Sequence, residues 1–239
     1  MVLAFVLCLA FAPVGCAGSA TEDAGEQAAG NVADAEEEEI PGRAAELERD
    51  EYSKPAEVYD FVGIDEGDTV IDIAAGGGYN AYLLAERVGP SGKVIATEGD
   101  NDGLAARLER GDMSDATNVE IVDSLSALAD ASVDSVVVIR WYHMLPDPPA
   151  FVAELNRIMT PGGTVGVVEV RLDQDEGHDM TSHRVGEQTV IADFEGGGFA
   201  FDGESDILRR DDDDYTLYWG PHGKRYVTDR MLLKFSKAR

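Results

Sequence analysis

The chain is short of cysteine, of positive charge and of long apolar runs. Its two cysteines, Cys8 and Cys16, both fall within the first sixteen residues. The rest of the chain can therefore form no disulfide, no thiolate-held zinc centre and no cysteine nucleophile. Lys and Arg number 19 against 47 Asp and Glu, a formal net charge of −28. A surface of that sign repels phosphate backbones, which excludes nucleic acid as a partner. It also disfavours adhesion of the folded part to an anionic membrane, while favouring solubility and cationic ligands. The one sustained apolar run is residues 1–14. That is too short for a spanning helix and suits the core of an export signal. There is no internal repeat.

Residues 1–16 read as a signal peptide. The small residue Gly15 before Cys16, at the end of the apolar run, matches a lipoprotein-type cleavage site with Cys16 as the lipidated residue. No Lys or Arg precedes Arg43, so the usual basic flank is missing, and an uncleaved hydrophobic anchor is the competing reading. Residues 17–42 are rich in Ala, Gly and Glu and read as a disordered acidic tether. Both readings place the chain in the cell envelope, with membrane contact only through its N-terminus. Residues 43–239 are enough for one α/β domain with a full core. Nothing in the sequence sets the oligomeric state.

Residues 70–98 carry the most information. An apolar run reaches Asp72, and a bend with Gly76, Gly77 and Gly78 follows. A helical stretch then leads to a second apolar run ending at Glu98. This pattern predicts a strand, a tight turn, a helix and a parallel strand, with an acid at each strand tip. Glycines let backbone approach a ligand, and the helix start offers unpaired N–H groups. Two adenosine cofactors compete for such a bend. Gly76, Gly78 and Ala81 satisfy the dinucleotide fingerprint, and Glu98 lies where a ribose-binding acid is required. The segment Asp72-x-Ala74-x-Gly76-x-Gly78 instead resembles the Asp-x-Gly-x-Gly-x-Gly loop of class I S-adenosylmethionine-dependent methyltransferases, with Ala74 in place of the first glycine. Asp72 favours the second: it would repel a pyrophosphate but attract the cationic methionyl end of a sulfonium cofactor.

Downstream segments resemble the same family. Asn118 to Val122 reads as a strand ending at Asp123, and Val136 to Ile139 as a buried parallel strand. A helix over 150–159 runs into Pro161, Gly162 and Gly163, then a strand over 164–170. Expected late elements are a helix from Glu187 to Phe194 and strands over 199–208 and 225–235. The segment Arg49 to Val58, His183 to Glu187 and the closing Asp229 to Phe235 further resemble a bacterial group of exported class I methyltransferases. The resemblance implies a doubly wound, Rossmann-like sheet of seven strands in a single α/β domain, mostly parallel with an antiparallel last strand. It implies S-adenosylmethionine as cofactor and leaves the acceptor, a small molecule, unnamed.

Asp72, Ala74, Gly76, Gly78, Glu98 and Asp123 all fall at strand ends, where ligands of open α/β sheets bind. Glu98 is the candidate acceptor for both ribose hydroxyls and Asp123 for the adenine amino group. Arg140, Trp141, Tyr142 and His143 follow the fourth strand and are expected to face the acceptor. His143 is the candidate general base, and the aromatics are candidate walls for a sulfonium. A hydrogen-bonded core histidine with a core aromatic pair is the plainer reading. His183 either caps the next helix or lines the acceptor pocket. Asp173, Asp175, Glu176, His178 and Asp179 read as an exposed acidic loop in preference to a metal site. Asp211 to Asp214 read as a solvated loop. Two alternatives stay open: a nicotinamide-dependent oxidoreductase, and a lipid-tethered binding protein with a vestigial cofactor pocket.

Overall fold

The computed structural model describes residues 43–215 and 228–239. The expected signal peptide (residues 1–16) and acidic tether (residues 17–42) lie outside the described residues. Seven strands form the main sheet: β1 (Thr69–Ile73), β2 (Lys93–Thr97), β3 (Val119–Val122), β4 (Val133–Ile139), β5 (Met159–Val170), β8 (Phe199–Glu204) and β9 (Arg230–Lys237). β6 (His178–Asp179) and β7 (Arg184–Val185) make a separate two-residue ladder. The order across the sheet is β3-β2-β1-β4-β5-β9-β8. β9 runs antiparallel to both β5 and β8, and the other pairings are parallel. This is the expected doubly wound architecture. The chain reverses its direction of winding between β1 and β4, which opens a crevice at their carboxyl ends.

The helices are α1 (Arg43–Ser53), α2 (Pro55–Val62), α3 (Tyr79–Val88), α4 (Asp102–Arg110), α5 (Pro148–Ile158) and α6 (Glu187–Gly196). The break at Pro55 divides α1 from α2, as its missing N–H and ring dictate. α5 begins two residues earlier than expected, because Asp147 caps it through a 3.1 Å bond from the Ala150 amide and proline suits the first helical position. β5 begins at Met159, so Pro161 to Gly163 lie within a strand, not in a turn before one. They sit where the β4–β5 register shifts between Val133 and Ser135. The expected strand over 199–208 ends at Glu204, and Asp206–Leu208 forms a single 3-10 turn. Residues 225–227 of the last expected strand lie outside the described residues.

Two apolar layers hold the sheet. On one face Ile71, Val136, Val165 and Val167 meet α5 and α6, with Phe194 and Phe235 stacked at 4.3 Å. On the other, Val70, Val94, Val137 and Val168 meet α2 and α3. Gly166 matters for the second layer. A Cβ there would come within 2.3 Å of Val62 Cγ2. Its absence lets α2 settle close against β5, which fixes the height of Tyr59 over the strand ends.

Candidate active site

The bend after β1 is tied on both sides by backbone bonds. The Ala74 amide donates to Thr97 O (3.0 Å) and the Gly76 amide to Asp100 O (2.9 Å), while Gly76 O accepts from the Leu104 amide (2.8 Å). Ala74, Gly76 and Gly78 have φ of 54, 55 and 80°. The first of these is costly for an L-residue, which explains why glycine suits the position. Ala74→Gly should therefore raise stability by about 0.5 kcal/mol, the relief of strain being partly offset by the freer unfolded chain. A higher urea midpoint at unchanged m-value would show it; a lower midpoint would mean that the methyl's packing against Gly99 outweighs the strain.

Asp72 is the electrostatic centre. It is 1% exposed, and neither carboxylate oxygen has a hydrogen-bond partner among the described residues. Burial pushes its carboxyl up to about 7. The Arg49 guanidinium and the nearby Ala81 amide pull the other way without overcoming it. Beside it opens a small cleft that communicates with solvent. Arg49 and Ser53 of α1, Pro55, Val58 and Tyr59 of α2, and Asn80 of α3 wall one side. Ile139 and Arg140 at the end of β4, Val168 of β5 and Arg230 of β9 form the other. Asp72 lies one layer behind: it acts on Tyr59, whose hydroxyl is held well above its ordinary range, first by burial and then by that carboxylate.

Glu98 stands at the tip of β2 with φ of 59°. One carboxylate oxygen accepts the Leu125 amide at 2.8 Å. A carboxylate has about four acceptor positions, so a ribose diol can still be received, chiefly by the second oxygen. Asp123 is exposed at the end of β3. Gly76, Gly78 and Glu98 thus sit on neighbouring strand ends beside Asp72. Spare acceptors at Glu98 and an orphaned buried carboxylate at Asp72 fit a cationic nucleoside cofactor better than a phosphorylated one.

The loop after β4 divides. Arg140 (φ 54°) is pinned by its amide to Val168 O at 2.7 Å and lines the cleft. Trp141 is half-buried with its ring edge-on to Phe151, and its indole nitrogen would lie 2.9 Å from a Cβ on Gly99, next to Glu98. Tyr142 turns away. It is buried in the α5–α6 layer, and its hydroxyl donates to Asp193 at 2.6 Å. It is a core residue and not a wall for a sulfonium. His143 is 2% exposed; its Nδ1 lies 3.0 Å from Glu169 Oε2, which its backbone amide also approaches at 3.3 Å. The ring of His183 stands edge-on to it at 5.0 Å. Neither histidine lines the cleft, so the general-base role for His143 has no geometric support there. Gly186, not His183, occupies the cap of α6.

Sequence reasoning missed several residues that shape the site. Arg107, 1% exposed on α4, donates to Gly77 O (2.9 Å) and to Glu46 of α1 (2.8 Å), fastening that helix to the bend. Asn101 bridges Ala75 N and Glu98 O, joining the two ligand loops. Arg49 lies over the Tyr79 ring at 3.8 Å. An Arg within the segment 49–58 was visible as part of the family pattern; nothing local marked Arg107 or Asn101. Asp213 reverses an expectation. It is buried, and accepts from both Arg184 Nη1 (2.9 Å) and Nη2 (3.1 Å). The acidic run is therefore a solvated loop with one inward-facing member. No group of three His, Cys, Asp or Glu among the described residues is placed to hold a metal ion.

Comparisons with known proteins converge on one family. Residues 71–167 match the model of a methyltransferase domain. The chain is 30% identical over 113 residues to an arsenite methyltransferase of Halobacterium salinarum, covering 46% of this chain and 29% of that protein. It is 32% identical over 136 residues to a protein-L-isoaspartate O-methyltransferase of Methanococcoides burtonii, covering 55% of this chain and 67% of that one. Among solved structures, an S-adenosylmethionine-dependent methyltransferase from Aquifex aeolicus superimposes with a TM-score of 0.63 at 22% identity, over 81% of this chain and 95% of that one. The first of these relatives is much longer than the part matched, so it speaks for the shared domain alone. With the glycine bend, the strand order and these relatives together, the chain belongs to the class I S-adenosylmethionine-dependent methyltransferases.

Proposed function

We propose that this methyltransferase acts on a small-molecule acceptor held in the cleft between α1–α2 and the ends of β4 and β5. The bend at Gly76 and Gly78 and the acid Glu98 would receive the nucleoside, with Asp123 near the base. Asp72 and Arg49 would meet the methionyl ammonium and carboxylate. When bound, S-adenosylmethionine supplies a methyl group on a cationic sulfur that is already primed for displacement. The protein's part is alignment and exclusion of water. Val58, Ile139 and Val168 give the cleft dry walls. Among its described lining residues no carboxylate or histidine stands ready to take a proton, and Tyr59 is held too far above neutrality to serve. The acceptor therefore brings a lone pair that is available at neutral pH.

The buried, unbonded carboxylate of Asp72 carries this reading. The relatives named for arsenite and for isoaspartate differ in acceptor, so the cofactor is what they share with this chain. Isothermal titration is expected to give saturable binding of S-adenosylhomocysteine and no heat with NADH; the reverse pattern would replace methyl transfer by hydride transfer. Export and lipidation at Cys16 belong to the same proposal. Labelling of cells with a fatty-acid analogue, followed by Cys16→Ser, would show whether the anchor exists. Among the described residues no helix is long and apolar enough to cross a membrane.

A further inference from the structure

Resting on the methyl-transfer reading, we infer that Trp141 is the wall against which the cofactor's adenosine lies. Its indole supplies the flat apolar face, and its Nε1–H a hydrogen bond at the edge of that site. Trp141 follows β4, and the order across the sheet there is β2-β1-β4. Yet its indole nitrogen sits against Gly99 of the loop after β2, where an added Cβ would come within 2.9 Å of it. The same Cβ would meet the Cβ of Ala74, after β1, at 2.7 Å. The side chain therefore reaches from one strand end across the tip of the next to the loop of a third, a span of roughly 10 Å at two strand spacings. It lies over the crevice where the winding of the sheet reverses, the place where open α/β sheets bind ligands. Glu98 adjoins Gly99, and their loop is tied to the bend through Asp100 O and the Asn101 side chain. The ring is thus seated among the groups assigned to the nucleoside, and it does not line the cleft of Val58, Ile139 and Val168.

The chemistry of the seat fits a purine. A purine is flat with two apolar faces, and a site for one needs matching surface. Gly99, the neighbour of Glu98 in the chain, offers none. The methyl of Ala74 and the indole of Trp141 fill the space that a side chain at 99 would take. Trp141 is half-buried, and Phe151 meets its ring edge-on at 5.7 Å, which holds the plane of the indole from the core. No acceptor for the indole N–H occurs among the described residues. An indole N–H removed from water usually finds a partner, and adenosine carries ring nitrogens and ribose oxygens that accept. Position after β4 suggests a place beside the acceptor and the sulfonium; contact with Gly99 turns the side chain to the base instead.

The test uses the full chain with Trp219→Phe, which leaves Trp141 as its one tryptophan. S-adenosylhomocysteine and methylthioadenosine, which lacks the amino-acid end, are each titrated while emission is followed, and calorimetry gives the affinities. Both ligands are expected to quench the emission saturably. Trp141→Ala should weaken both by the same factor, about tenfold or more, as the loss of a stacked base implies. Trp141→Phe, which keeps a flat ring without the N–H, should fall between. A role in packing alone would lower the melting temperature of Trp141→Ala and leave the affinity of the folded protein unchanged. That result, or an emission indifferent to both ligands, overturns the inference. So does a loss confined to S-adenosylhomocysteine, which would assign the indole to the methionyl end. Should Trp141→Ala fail to fold, the emission of the Trp219→Phe chain and the affinity of Trp141→Phe decide. A parent chain that binds neither ligand overturns the methyl-transfer reading itself, and this inference with it.

Discussion

Asp72→Asn is expected to stabilise the ligand-free protein at pH 8 and to weaken S-adenosylhomocysteine binding at least tenfold. The carboxyl titrates near 7 in the folded chain against 3.8 when unfolded. The folded state therefore binds the proton more tightly. Below pH 3.8 both states are protonated and the site costs nothing. As pH rises from there to about 7, only the unfolded state ionises, and stability falls; above 7 the penalty is constant. Three pH units correspond to roughly 4 kcal/mol as an upper figure. An amide removes that charge penalty but buries its own unsatisfied N–H groups, at about 1–3 kcal/mol. A net gain of about 2 kcal/mol at pH 8, shrinking to nothing or reversing near pH 4, is the outcome expected from urea melts across that range. The binding loss follows from the same charge, since an ionised carboxylate near an ammonium contributes about 1.5–3 kcal/mol. Wild-type affinity should accordingly drop below pH 7. A variant that binds normally, or a wild-type stability that is flat from pH 4 to 7, would remove Asp72 from its central position.

The second large effect lies in the acidic run. Asp213→Ala should cost about 3–5 kcal/mol, because it removes the carboxylate paired with the buried Arg184 guanidinium. Both side chains of the pair are fully buried. Asp213 also accepts the backbone amides of Asp229 (2.7 Å) and Tyr215 (3.0 Å), so its loss breaks these bonds as well as the ion pair. Asp211→Ala, two residues away on an exposed side chain, should stay within about 0.5 kcal/mol. Parallel denaturant melts of the two variants decide the matter. Similar midpoints would mean that the whole run is solvated, as its composition suggests.

These two sites show where sequence reading reached and where it stopped. β1, β2 and β4 were legible because a strand covered on both faces is a short apolar run, and Asp72, Glu98 and Asp123 were legible because each follows one. The bend was legible because glycine adopts a φ of 55° or 80° without the strain an L side chain carries there. The antiparallel β9 followed from family resemblance and not from its own pattern. Asp213 was illegible because burial depends on Arg184, 29 residues earlier in the chain. Arg107 was hidden for the same reason, its partner Glu46 being 61 residues away. Tyr142 and His143 misled through position: residues after a strand face either a ligand or the next layer, and the choice is made by Asp193 and Glu169, which no local spacing reveals. The start of β5 was misplaced because Pro-Gly-Gly is ordinary turn chemistry, whereas here it accommodates a register shift.

The fastening of α1 through Arg107 has a consequence for where this domain begins. A trimmed protein starting at Lys54 would keep all seven strands and both apolar layers, and by the usual measure of a hydrophobic core it would be intact. It would nevertheless lose the strut between Glu46 and the carbonyl of Gly77 and leave a guanidinium sealed in the interior without its counterweight. The functional edge of the molecule is therefore drawn by an ionic brace, outside the perimeter that packing alone would mark.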